Sequence, residues 1–140
     1  MLGPWWLLER SGAVVRRARA SLWVHGETPR QFDTALRLLR EVMRARPHVR
    51  LVLTSTDPAT VAYLRRSFPD DHGGAAPWNA SGAVRRFFTK VNPRLLVLLD
   101  GGRSLGARAI DEMVARGLPL VAVKPGRDAD AELAPAVARA

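Results

Sequence analysis

The chain has 140 residues, 47% apolar and 25% charged, the make-up of one globular domain rather than of a disordered or fibrous chain. It carries 22 basic against 13 acidic side chains, a net charge of +9, and twenty of the basic residues are arginine, so anionic partners are favoured. Cysteine is absent, which excludes disulfide frameworks, thiolate metal sites and cysteine nucleophiles; His25, His48 and His72 are not at metal-ligand spacing, so neither a metal nor a cofactor is expected.

The first element is an apolar start containing Trp5 and Trp6, followed by Arg10, Arg16, Arg17 and Arg19. Indole rings settle at head-group depth and arginines meet lipid phosphate, so residues 1–21 are expected to form a basic, membrane-interfacial segment. The alternative is a short helix whose tryptophans pack on the domain. No apolar run is long enough to span a bilayer and no secretory pattern is present. The expected location is cytoplasmic, with this segment peripheral on a membrane surface.

Strands and helices then alternate. Leu22-Trp23-Val24-His25 has the composition of a strand, and Thr28-Pro29 opens a helix whose stripe is Phe32, Ala35, Leu36, Leu39 and Met43. Asp33–Arg37 and Arg37–Glu41 stand at ion-pair spacing on its polar side. Val49 to Ser55 is a strand buried on both faces, and Asp57-Pro58 begins a helix with Val61, Leu64 and Phe68 inward. Pro69 to Gly74 reads as a break, and Ala75 to Asn79 as a short edge strand weakened by Pro77. Ser81 is expected to cap a helix carrying Val84, Phe87, Phe88 and Val91. Arg94 to Asp100 is the strongest strand, and Gly101-Gly102-Arg103-Ser104 turns into a helix through Ala109, Ile110, Met113 and Val114. Leu118 to Lys124 reads as a last buried strand. Short βαβ connections imply one Rossmann-like α/β domain over residues 22–126, with a mostly parallel sheet of about five strands, helices on both faces, and a tail over 127–140.

Ligands of such sheets bind outside the carboxyl ends of the strands. The polar residues there are His25 with Glu27, then Thr54, Ser55, Thr56 and Asp57, then Asp100, Gly101, Gly102 and Ser104. Gly101 and Gly102 before a helix could bind an anion through backbone N–H groups, or simply make a tight turn. Asp100 could be a base or a cap, and His25 with Glu27 an acid–base pair. The chemistry alone names no reaction.

The ordered residues Glu9-Arg10-Ser11-Gly12, Trp23-Val24-His25, Leu38-Leu39, Leu53-Thr54-Ser55-Thr56-Asp57-Pro58, Pro77-Trp78-Asn79, Val84-Arg85-Arg86-Phe87, Pro93 and Leu118-Pro119-Leu120 carry a resemblance. The chain resembles the N-terminal, acceptor-side half of 3-deoxy-D-manno-octulosonic acid (Kdo) transferases, the GT-B glycosyltransferases that glycosylate lipid A precursors. The similarity runs from Glu9 to Val123. It implies an anionic glycolipid or membrane surface as partner, approached through Trp5, Trp6 and the arginines at 10, 16, 17 and 19.

The departures from that family bear on catalysis. Counted without a gap, Arg30-Gln31 stands where the family has Gly-Glu, its presumed base, and an amide cannot take up a hydroxyl proton. A three-residue deletion would instead bring Gly26-Glu27 there, making Glu27 the candidate base; the ungapped register is preferred because it keeps the helix spacing. The family's second acidic motif keeps its first carboxylate as Asp100 and loses the rest. The family binds its sugar nucleotide in a second domain, so the expectation is a pseudoenzyme, or half of a split enzyme needing a protein partner with that domain. Non-specific nucleic-acid binding through the +9 charge is a third reading, disfavoured because no nucleic-acid motif or stacking platform is present.

Overall fold

The computed structural model describes residues 4–12 and 17–123. Arg16 and the tail over 127–140 lie outside the described residues. Strands Ser21–His25 (β1), Arg50–Ser55 (β2), His72–Ala75 (β3), Pro93–Leu98 (β4) and Leu120–Ala122 (β5) form one all-parallel sheet in the order β3-β2-β1-β4-β5. Helices Pro4–Arg10 (α1), Pro29–Met43 (α2), Pro58–Ser67 (α3), Ser81–Val91 (α4) and Ala107–Ala115 (α5) complete the described elements. This is the expected Rossmann-like α/β architecture.

Side chains alternate across each strand, so the sheet has a core on either face. Leu22 and Val24 pack with Leu53 and Val97 beneath Phe32, Leu36 and Leu39 of α2 and Leu64 of α3. Trp23 goes the other way, with Val52, Leu96 and Leu98, against Phe87 and Phe88 of α4 and Met113 of α5. Its ring lies 4.6 Å from that of Phe87 and edge-on to Phe88 at 5.8 Å. The same alternation sends His25, two residues beyond Trp23, toward the α4–α5 side at the carboxyl end. Its register partners there are Thr54 and Leu98.

Four local expectations are corrected. The edge strand is His72–Ala75 rather than 75–79, because Gly73 and Gly74 pair in register with Leu53 and Thr54. Two glycines that look like a break suit this edge: a Cβ on Gly74 would lie 2.5 Å from Glu9 Oε1. Ser81 is the first residue of α4, whose cap position is Ala80 with no side-chain cap bond. On α2, Asp33 accepts from the Tyr63 hydroxyl, and Glu41 pairs with Arg44. Finally β5 is short and half-exposed, because it sits at the sheet's edge, and Lys124 lies outside the described residues.

Helix α1 forms and packs along β3. Trp6 is 4% exposed, against Val61 and Ala75, whereas Trp5 is 44% exposed with the Arg65 guanidinium 4.8 Å from its ring centre. Glu9 accepts from Ala75 N (3.2 Å) and from Arg65. Gly12 has φ +78°, and a Cβ there would come within 2.6 Å of the Ala83 carbonyl on α4, so only glycine lets the chain cross so closely.

Candidate functional site

The carboxyl ends of β1, β2 and β4 converge on one polar cluster. Glu27, just past β1, is its centre. Its carboxylate accepts from Ser55 Oγ (3.1 Å), Thr56 N (3.1 Å) and Thr56 Oγ1 (2.5 Å), and His25 Nε2 is 3.4 Å away. Burial raises the Glu27 pKa, but hydrogen bonds from His25, Ser104 and the hydroxyl and amide of Thr56 outweigh it and hold the carboxyl well below its usual range. The Glu27 carbonyl is fixed as well, accepting from Thr60 Oγ1 at 2.8 Å.

His25 is fully buried. Its Nδ1 lies 2.9 Å from Thr54 Oγ1, which also accepts the Trp23 indole N–H at 2.7 Å; its Nε2 lies 2.7 Å from Ser104 Oγ. Ser104 in turn reaches Asp100 Oδ2 at 2.6 Å. Asp100 also accepts from Gly102 N (2.9 Å) and Ser104 N (3.2 Å).

Of the two readings of the glycine pair, the geometry is that of the tight turn. The helix after Gly101 and Gly102 starts only at Ala107, and the Gly102 N–H is already held by Asp100. Both glycines have positive φ, +77° and +92°, the conformation of a tight turn. The true N-terminus of α5 is served from elsewhere: Asn79 Oδ1 accepts from Arg108 N at 2.9 Å.

Gln31 and Glu27 have separate places. Thr28 caps α2, and Gln31 Oε1 accepts from Thr28 N (3.3 Å) and Glu27 N (2.8 Å) while Gln31 N meets Thr28 Oγ1 (3.4 Å). This is a capping box. The Gln31 amide is occupied at the helix start, and the carboxylate among the strand ends is that of Glu27.

The other expected residues divide. His25, Thr54, Ser55, Thr56 and Asp100 meet at the cluster. Arg10 is drawn away from the expected interfacial group: its Nε donates to Ala76 O (3.1 Å), at the carboxyl end of β3, and burial lowers its pKa, an effect the charge of Glu27 partly offsets. Arg17 and Arg19 are exposed at the opposite, amino end of the sheet, where Ala18 N bonds Lys90 O and the Asn92 amide bonds Arg19 O. Arg50 and Arg94 are exposed at the starts of β2 and β4 on that same end. Sequence reasoning missed Ser104 as the bridge and Trp23 as a polar participant; their partners lie 79 and 31 residues away along the chain.

One ligand atom each from His25, Glu27 and Asp100 lies within 4.8 Å of the others, a grouping that sequence spacing hides. Its donor chemistry fits a hydrogen-bond network better than a cation, since Ser104 already bridges His25 and Asp100 and Glu27 is engaged by Ser55 and Thr56. No helix among the described residues is long and apolar enough to cross a membrane.

No protein with a curated description matches the chain. The sequence profile of the 3-deoxy-D-manno-octulosonic-acid transferase (kdotransferase) family, for its N-terminal glycosyltransferase domain, matches residues 7–125. That span holds the whole described sheet and every residue of the cluster, and on it the chain belongs to the 3-deoxy-D-manno-octulosonic-acid transferase family as a glycosyltransferase-like N-terminal domain.

Proposed function

We propose that this domain binds an anionic glycolipid acceptor of the lipid A precursor type at the carboxyl ends of β1, β2 and β4, and that it does not transfer sugar by itself. The observation that carries the reading is Glu27, a carboxylate within a family domain at the sheet's ligand-binding end, ringed by the hydroxyls of Ser55, Thr56 and Ser104. Such a group orients sugar hydroxyls. The donors that stabilise its charge also lower its basicity, so it is a poor proton acceptor in this arrangement. Arg10, held at the carboxyl end of β3 by Ala76 O, supports an anionic substituent on the ligand.

Membrane contact is the second part of the proposal and uses other residues. Trp5, Leu7 and Leu8 are 44%, 56% and 50% exposed on α1, with Arg65 against Trp5 and Arg17, Arg19, Arg50 and Arg94 exposed at the amino ends of the strands. Trp6 is buried and takes no part. Peripheral attachment to the inner membrane would then proceed through residues other than those of the Glu27 cluster, leaving the cluster open to a partner that carries the sugar-nucleotide domain.

Co-sedimentation with vesicles, with and without lipid A precursor and at low and high salt, tests both parts. Selective binding to precursor vesicles that E27Q weakens supports the acceptor site. Equal binding to any anionic vesicle, lost at high salt and abolished by R17Q/R19Q, leaves only a basic surface. Binding to duplex DNA with a steep salt dependence and none to vesicles would favour the nucleic-acid reading.

A further inference from the structure

We infer that Trp23 and Thr54 lock the buried His25 in its Nε2–H tautomer, so that His25 serves the Glu27–Asp100 cluster as a fixed hydrogen-bond donor and not as a base. This goes beyond glycolipid binding and does not rest on it.

An indole N–H only donates, so Trp23 takes one lone pair of Thr54 Oγ1 at 2.7 Å. The Thr54 hydroxyl keeps one hydrogen, and it is 1% exposed. Its other side-chain partner among the described residues is His25 Nδ1 at 2.9 Å. If Nδ1 carried a proton, the hydroxyl hydrogen would be buried with no acceptor. If Nδ1 is bare, the hydroxyl donates to it and every group is satisfied.

The far side of the ring gives the same answer. Ser104 has one hydroxyl hydrogen, and two carboxylates compete for it, Asp100 Oδ2 at 2.6 Å and Glu27. Spending that hydrogen on His25 Nε2 would leave a short oxygen–oxygen contact with no proton in it. With Nε2–H donating to Ser104 Oγ at 2.7 Å, the chain runs in one direction: Trp23 N–H to Thr54 O–H to His25 Nδ1, then His25 Nε2–H to Ser104 O–H to Asp100. The same Nε2–H points at Glu27 Oε1, 3.4 Å away.

Two consequences follow for the site. Ser104 and His25 stand at the distance of a nucleophile and its base, yet the proton sits on the wrong nitrogen for that chemistry and Ser104 donates to Asp100. The lone pair that a divalent cation would need on Nε2 is likewise taken. Trp23 and Thr54, 0% and 1% exposed, are positioning residues that act through His25.

The test is the 15N spectrum of the imidazole rings in the full chain labelled at histidine. There are three histidines, and H48Q and H72Q assign the other two. A buried unsatisfied donor biases such a pair of tautomers by about 5- to 150-fold, so His25 is expected as one tautomer, protonated at Nε2 and bare at Nδ1. In T54V the bias is lost and both tautomers are populated, while T54S restores the single form. An Nδ1–H ring, a doubly protonated ring or an even mixture in the wild-type chain at neutral pH overturns the inference. The wild-type spectrum decides it even if T54V does not fold.

Discussion

Gln31 Oε1 accepts the backbone N–H of Glu27 at 2.8 Å, so the amide four residues along helps to aim the chain that carries the carboxylate. The two residues that compete for one position in an alignment are partners in the fold. Their consequences are separable. Q31A removes the side-chain half of the capping box and is expected to destabilise the domain by about 0.5–2 kcal/mol. Vesicle selectivity at a temperature where both proteins are folded should stay unchanged. A loss of selectivity at full folding would give Gln31 the site role instead.

Glu27 makes the domain acid-sensitive in a definite direction. Its folded pKa is depressed, so its contribution to stability is complete above its ordinary value of about 4.5 and is lost as pH falls below it. Thermal unfolding of the wild type and E27Q should therefore differ most near neutrality, with E27Q the less stable. The gap should close as pH drops below 4.5. A gap that is constant with pH would mean that the carboxylate gains nothing from its donors.

The paired tryptophans should give opposite phenotypes. W6A empties a site that is 4% exposed and is expected to cost about 3–5 kcal/mol, visible in chemical denaturation. W5A should cost less than about 1 kcal/mol, since Trp5 is largely a surface residue, yet it should weaken vesicle binding. Equal destabilisation by both would contradict the orientation of α1.

Gly12 tests the path of the chain over α4. G12A places a methyl group 2.6 Å from the Ala83 carbonyl at a backbone φ of +78°, and a loss of at least about 2 kcal/mol is expected from the conformation and the clash together. A neutral G12A would mean that residues 11 and 12 lie elsewhere.

The architecture was legible because its signals are local. Leu95 to Leu99 and Leu51 to Leu53 are uninterrupted apolar runs, and Phe32, Ala35, Leu36 and Leu39 repeat at helical spacing, so the parallel sheet and its α2 cover follow from pattern alone. What escaped depends on distant partners. Gly73-Gly74 is a strand only because β2 supplies the ladder and Glu9 fills the space beside Gly74. Helix α5 starts late because Asp100 claims the amides of Gly102 and Ser104. At the site, the strand-end residues His25, Thr54, Ser55, Thr56 and Asp100 were foreseeable from topology. The bridging role of Ser104 and the polar role of the Trp23 indole were not, since their partners lie far along the chain. Arg10, grouped with its neighbouring arginines by sequence, is held instead at the carboxyl end of β3 by Ala76 O.

In the proposed function, the Glu27 end of the sheet holds a glycolipid head group. The most direct measurement is a 1H–15N titration of the labelled full chain with de-acylated lipid A precursor, which has the sugars and phosphates but no membrane. Saturable shifts are expected at Glu27, Thr56, Ser104 and Arg10, reduced in E27Q, with Arg17, Arg19, Arg50 and Arg94 undisturbed. Shifts confined to those four arginines, or none at the Glu27 cluster, would contradict it.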